Sequence, residues 1–278
     1  MPRLRSFVGA MMALALVIAS QTQAHADAHE ESPTPSAEAA KVTGQLTLPA
    51  GALVVQIPVE VNLSSGAVAK PLSVAPDVWY GVMDKLSVGL VHSAFGTTGS
   101  FATTGGAGVC VTGEDNGCGK VYDNVGVNAR YGVLDGDFLL AADVGVFARS
   151  LDPLALAAKV GVNGMMAAGP LHIIFSPNIF IGFTEREAGN EEILNIPVTF
   201  AIGLGSQLSV GLQTGLVAPL SGFADGIIVP LAAGVRFGLS PKLGFDAAFS
   251  LPFLYNKPID DGTNTDTRAI VFSTNVAL

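Results

Sequence analysis

The sequence predicts an all-β protein built as a single transmembrane antiparallel β-barrel of twelve strands. Three patterns predict it: apolar residues at every second position, connections that alternate between short and long, and strand charges that fall on one face. Of the 278 residues, 49% are hydrophobic and only 13% are charged. Beyond the N-terminus no run reaches the about 20 apolar residues of a transmembrane helix. We therefore expect the apolar residues to lie on strands.

The two-residue period is clearest near the C-terminus. Apolar side chains stand at alternate positions there: Leu243, Phe245, Ala247, Phe249, Leu251 and Phe253. Small or polar residues fill the positions between them, so a strand here has one apolar face and one small or polar face. The same pattern predicts strands at 53–63, 72–82, 86–94, 121–134, 138–149, 155–166, 171–183, 193–204, 207–218, 226–238, 242–253 and 268–278.

The connections between these segments alternate in length. Very short connections are predicted at 83–85, 134–137, 167–170, 205–206 and 239–241. Longer and more polar ones are predicted at 64–71, 95–120, 150–154, 184–192, 219–225 and 254–267. Transmembrane barrels have short turns at one rim and long loops at the other, whereas a soluble β-sandwich has no reason to sort its loops in this way.

The faces of the predicted strands differ in charge. The apolar face would contact lipid, where a charge costs roughly 2–4 kcal/mol at the bilayer midplane. The charged residues predicted to line the lumen are Glu60, Asp77, Arg130, Asp143, Arg149, Lys159, Arg236 and Asp246. The aromatic residues predicted to form an interfacial girdle near the short turns are Tyr80, Tyr131, Phe138, Phe237 and Phe245.

The N-terminus has the features of an export signal. Arg3 and Arg5 precede an apolar stretch at 7–19, and small residues at 24–28 offer two cleavage sites, after Ala26 or after Ala28. We therefore assign 1–26 to a signal peptide, 27–52 to a flexible periplasmic lead-in and 53–278 to the barrel. The net charge of −9, without a basic run, argues against nucleic acid as a partner.

Two cysteines, Cys110 and Cys118, lie close together in a segment rich in Gly and Thr. In an exported chain such a pair is expected to form a disulfide that closes a small loop. The oxygen-bearing residues at 114–116 do not have the spacing of an EF-hand loop. We expect no metal site and no cofactor.

The chain resembles the bacterial outer-membrane β-barrel class over residues 53–278. The resemblance rests on the tight hairpin at 80–89 and on a last strand with alternating apolar residues that ends in Leu278. Members of the class usually end on an aromatic residue, so this chain departs from the pattern there. The resemblance implies an outer-membrane location among membrane lipids, both termini in the periplasm, and insertion by the barrel-assembly machinery.

For function, the sequence favours a narrow pore or facilitated-diffusion channel for small polar solutes. Glycines on the inner face would leave space, and the inner charges would set selectivity. The alternative is a closed barrel whose outer loops carry a structural, adhesion or receptor role. An enzyme is not expected, because His92 is assigned to the outer face and Ser93 to the inner one, and His172 has only Ile174 beside it. The oligomeric state stays open.

Overall fold

A computed structural model describes residues 46–64, 70–92, 107–114, 117–257 and 262–278. The predicted signal peptide at 1–26 lies outside the described residues, as do residues 27–45 of the predicted lead-in. Every strand of the described chain belongs to one sheet. Within these residues, no helix has the length and apolar character needed to cross a bilayer.

In the described residues, the alternating sequence forms seventeen strands. They are β1 (Leu53–Asn62), β2 (Leu72–Val74), β3 (Asp77–Met83), β4 (Leu86–Val91), β5 (Gly108–Cys110), β6 (Tyr122–Asp123), β7 (Val125–Leu134), β8 (Phe138–Leu151), β9 (Leu154–Ala168), β10 (Leu171–Phe175), β11 (Asn178–Gly182), β12 (Ile193–Gly203), β13 (Leu208–Pro219), β14 (Ile228–Ser240), β15 (Leu243–Asn256), β16 (Gly262–Thr263) and β17 (Ala269–Ala277).

The strands occupy twelve positions in a closed antiparallel wall, which confirms the predicted barrel. Several positions hold two short segments in succession. Strands β2 and β3 both pair with β1, and β10 and β11 both lie between β9 and β12. The barrel closes where β17 pairs with β1 over nine residue pairs.

One wall position holds two described segments that are separate in the chain. Strand β4 pairs with β3 and β7, and the described residues of this segment end at His92. The next described strand, β5, begins at Gly108 and pairs with β2 and β6. The sequence pattern predicted strand at 86–94 but gave no sign of β5.

The distribution of side chains is inverted relative to that of a soluble protein. Large apolar residues on the outer face are exposed, with Val127 at 63% and Phe272 at 52%. Charged residues on the inner face are buried, with Asp143 at 1% and Lys159 at 2%. The aromatic residues expected to form a girdle (Tyr80, Tyr131, Phe138, Phe237 and Phe245) are all exposed. This surface suits solvation by acyl chains.

The alternation of connection lengths holds with one exception. The connection from β8 to β9 was predicted among the long ones, yet it is only Asp152 and Pro153. The prediction was wrong because both strands continue past the predicted ends, so that β8 has 14 residues and β9 has 15. The predicted disulfide is present, with Cys110 and Cys118 joined at a Cα separation of 6.0 Å.

Candidate functional site: the interior of the barrel

One half of the interior is filled by large side chains. This packed wall comprises the inner faces of β3, β4, β7, β8, β9 and β11. Its aromatic cluster consists of Trp79, Phe147 and Phe180, with Val91 and Ala157 between them. The rings of Phe147 and Phe180 meet edge to face with centroids 5.3 Å apart. Because Phe147 is 0% exposed, no open passage runs directly over it.

Glycines on the packed wall leave the space that these side chains occupy. A Cβ on Gly89 would lie 2.6 Å from the Trp79 ring, and one on Gly126 would lie 2.3 Å from the Phe147 ring. The predicted use of inner glycines as open space is therefore wrong on this wall, because larger neighbours occupy the space. The same holds where Asn128 covers Gly145.

Asp143 is the centre of a buried charge cluster on the packed wall. It accepts hydrogen bonds from Asn128 at 2.7 Å, from Arg130 at 3.1 Å and from Asn163. The ammonium of Lys159 lies 3.0 Å from the same carboxylate. The Arg130 guanidinium also lies 4.1 Å above the Trp79 ring, a cation–π contact. The charge cluster and the aromatic cluster thus form one packed unit.

The opposite half of the interior is lined mainly by small residues. This small-residue wall comprises the inner faces of β13, β14, β15 and β17. Neighbouring inner residues on it, matched by strand register, are Gly211 with Gly234, Gln213 with Ala232, Ala232 with Ser250, and Gly234 with Ala248. A Cβ on Gly244 would meet only a backbone oxygen at 3.6 Å, which is ordinary contact.

The small-residue wall carries its own ion pair. Arg236 donates to Asp246 from Nε at 2.8 Å and from Nη2 at 3.3 Å, and Asn275 donates to the same carboxylate at 2.7 Å. The Arg236 side chain is 36% exposed, whereas the Asp246 side chain is 2% exposed. The guanidinium is therefore an accessible charge on the inner surface.

The remaining predicted lumen charges are Asp77, Arg149 and Glu60. Asp77 is buried and accepts the backbone N–H of His92 at 2.7 Å. Arg149 donates to the side-chain oxygen of Asn190 at 3.0 Å, and Glu60 is buried at the position that pairs with Ser73.

His92 corrects the sequence-based assignment of faces. Alternation placed its side chain outside, yet it is 3% exposed and its Nε2 lies 2.7 Å from the Tyr122 hydroxyl. The strand ends at Val91, so the two-residue period no longer applies to the next residue. His172 is exposed at the inner-face position that pairs with Ala167.

The rim formed by the long connections is joined by polar contacts between loops. Arg186 pairs with Glu192 at 2.6 Å, Ser221 donates to Glu191 at 2.5 Å, and Lys257 pairs with Asp225 at 3.1 Å. The hydrogen bond from Arg186 holds the pKa of Glu192 below its ordinary value. These pairs are largely solvent-exposed, so we expect each to contribute little to stability.

Comparison with known proteins places this geometry among outer-membrane barrels. No family model matches the chain, and no curated protein sequence matches it. Among solved structures, the NanC porin aligns with 81% of this chain and 100% of its own length, at 10% identity and a TM-score of 0.55. An outer-membrane channel from Pseudomonas putida F1 aligns with 84% of this chain and 97% of its own, at 9% identity and a TM-score of 0.52.

A third similar structure is the KdgM porin, in complex with disordered oligogalacturonate. It aligns with 81% of this chain and 97% of its own, at 6% identity and a TM-score of 0.51. At these identities the likeness concerns the fold. The chain therefore has the fold of the outer-membrane β-barrel porins and channels.

Proposed function

We propose that this protein is a narrow outer-membrane channel for small polar solutes, with its passage along the small-residue wall. The observation that carries the proposal is the contrast between the two halves of the interior. Aromatic and charged side chains fill the packed wall, whereas Gly, Ala and Ser dominate the facing strands β13–β15 and β17. A twelve-strand barrel lies between the small filled barrels and the large porins, so side-chain size decides whether solute can pass.

Buried polar atoms without a hydrogen-bond partner occur on both halves of the interior. Among the residues that the structure describes, they include the side-chain oxygens of Gln213, Ser250 and Ser273 on the small-residue wall and atoms of Trp79, Asn128 and Asn178 on the packed wall. Buried polar groups normally have a protein or water partner. Water or a hydroxyl-bearing solute between these oxygens would supply it. In this proposal both termini face the periplasm, and the barrel-assembly machinery inserts the chain.

The test is single-channel recording in planar bilayers with a pair of adjacent variants. Ala232 is on the inner face opposite Ser250, whereas Ala233 is on the outer face opposite Phe249. We expect Ala232→Phe to lower conductance by about half or more, because the ring enters the passage. The control Ala233→Phe adds the same ring on the lipid side and should leave conductance unchanged. Inserted wild-type protein that never conducts would refute the proposal.

A closed barrel is the second candidate function, and the packed wall favours it. Phe147 and Ala157 are fully buried inside the barrel, as they would be in a filled interior. The work would then be done by the loops of the long-connection rim, in adhesion or receptor contact. Silent insertion together with loop-dependent binding to a cell surface would support this function over the channel.

A further inference from the structure

The chain reverses direction just before the first strand. The N–H of Ala52 donates to the carbonyl of Pro49 at 3.1 Å, and Gly51 has a φ of +80°. This is the geometry of a type II turn, which needs glycine at its third residue. The turn sends residues 46–49 back along the barrel instead of away from it.

We call residues 46–52 the strap. Gly51 and Ala52 extend the pairing of β1 with β3, and residues 47–49 lie over the inner side of the wall. The N–H of Gly51 donates to the carbonyl of Gly81, and the N–H of Gly81 donates to the carbonyl of Ala52, both at 2.8 Å. The N–H of Leu48 donates to the Ser87 hydroxyl at 2.7 Å. Gly81 and Ser87 are buried positions on the inner faces of β3 and β4.

The short turn between β3 and β4 also accepts hydrogen bonds from the strap. The Thr47 hydroxyl donates to the carbonyl of Asp84 at 3.2 Å, and the N–H of Ala50 donates to the Asp84 carboxylate at 3.1 Å. Five hydrogen bonds therefore join the strap to β3, β4 and their turn. This places the strap at the short-turn end of the barrel.

Gly81 is the seat of the strap. A Cβ at this position would lie 1.9 Å from the carbonyl oxygen of Pro49 and 2.8 Å from its carbon. Both atoms are backbone, so no side-chain rotation can relieve the overlap. Any residue larger than glycine must displace the strap or the strand.

Leu48 connects the strap to the aromatic cluster. Its side chain packs against the cluster of Trp79, Phe147 and Phe180 from the short-turn side. The strap therefore continues the packed wall into the mouth of the barrel, and it takes up room that would otherwise belong to the lumen.

We propose that the strap is a fixed constriction of the channel, in which Leu48, seated through Gly81, sets the pore width at the short-turn end. This inference rests on the proposed channel function. It assigns a selectivity role to residues that precede the first strand, where sequence alone predicted a flexible lead-in.

The first experiment compares two inner-face glycine variants in the full chain. Gly81→Ala should unseat the strap and raise single-channel conductance by about twofold or more, with passage of larger uncharged solutes in liposome swelling. Gly203→Ala is the matched control at the short-turn end of β12, outside the small-residue wall, since its Cβ would meet no atom within 4 Å. Folding of both is checked by heat-modifiable migration on gels. A folded Gly81→Ala protein with wild-type conductance and solute cut-off would overturn the proposal.

A second experiment tests the position of the strap without relying on Gly81→Ala. The Thr47 hydroxyl lies 3.5 Å from the Cβ position of Gly132 on β7, so the double variant Thr47→Cys, Gly132→Cys should form a disulfide on oxidation. Mass spectrometry distinguishes the linked peptides from the native Cys110–Cys118 pair. We expect wild-type conductance when the new link is closed, because the strap is already seated. A folded double variant that does not cross-link would refute the strap position.

The two experiments separate failure of this inference from failure of the channel. If wild-type protein is silent but the double variant cross-links, the strap is in place and the channel function is wrong. If wild-type protein conducts and Leu48→Ser has an unchanged solute cut-off, the channel stands and the constriction role is wrong.

Discussion

The two halves of the barrel interior each hold an ion pair with a buried carboxylate, and they differ in the exposure of the cation. On the packed wall, Asp143 has four partners. The side chains of Asp143 and Lys159 are each 1% exposed. On the small-residue wall, Asp246 pairs with Arg236, whose side chain is 36% exposed. The first arrangement buries both charges, whereas the second leaves the guanidinium accessible inside the barrel. Four predictions test this difference, from the largest expected effect to the smallest.

Removing the buried carboxylate should be the most destabilising change. Asp143→Ala leaves Lys159 and Arg130 without their shared anion, and breaking a buried pair costs about 3–5 kcal/mol. Asp246→Ala is the matched change on the small-residue wall and should cost less, because Arg236 can reach solvent whereas Lys159 cannot. Urea unfolding in lipid vesicles, followed by fluorescence of the single tryptophan, measures both. Equal losses of stability would remove the distinction between the walls.

Removing a ring of the aromatic cluster should lower the free energy of unfolding more than removing a ring from the outer face. Phe147→Ala opens a cavity over Gly126 and should cost about 3 kcal/mol. Phe249→Ala removes the same ring from the outer face, where the side chain is 45% exposed. We expect its cost to be well below that of Phe147→Ala in the same unfolding assay. A larger loss for Phe249→Ala would show that the cluster does not stabilise the fold.

Ion selectivity should depend on the small-residue wall. Arg236→Ala removes an accessible cation and leaves Asp246, so the reversal potential in a KCl gradient should shift toward cation selectivity. Arg236→Lys keeps the charge and should largely restore the wild-type value. Lys159→Ala serves as the buried comparison, and it should change stability more than selectivity. A selectivity shift with Lys159→Ala but none with Arg236→Ala would show that ions pass along the packed wall, which contradicts the proposed passage.

The smallest effect is expected at the exposed rim. The pKa of Glu192 is lowered by Arg186, so the stabilisation from this pair is present above the ordinary pKa of a glutamate. It is lost as the pH falls through the lowered pKa of the folded state. Arg186→Gln should return the Glu192 pKa toward its ordinary value, measured by NMR titration of the carboxyl carbon. An unchanged titration would show that the pair does not persist in solution.

The two-residue period predicted the wall of this barrel almost completely. Each predicted segment overlaps a strand of the structure, and the charges assigned to the inside are buried or half-buried there. Periodicity reports only which side of the sheet a residue faces. It could not show that Gly89 and Gly126 are covered by rings, because that depends on which residue of the neighbouring strand lies opposite.

Features outside the strands were the ones that sequence reasoning missed. His92 follows the end of a strand, and β5 is a segment of only three residues, too short for a two-residue period to be recognised. The strap has no period because it is not a strand. Its one local signal is the sequence Pro49–Ala50–Gly51, where a glycine two residues after a proline is typical of a turn. The contact between Gly81 and Pro49 joins residues that are distant in sequence, so the local sequence pattern does not reveal it.

The interrupted wall position at β4 and β5 has a consequence for engineering. Strand β4 is held by β3 and β7, and β5 is held independently by β2 and β6, so the register on each side does not depend on the length of chain between His92 and Gly108. The entropic cost of a longer closed loop grows slowly with its length. Inserting extra residues between His92 and Gly108 should therefore leave the pairing of β4 and of β5 unchanged.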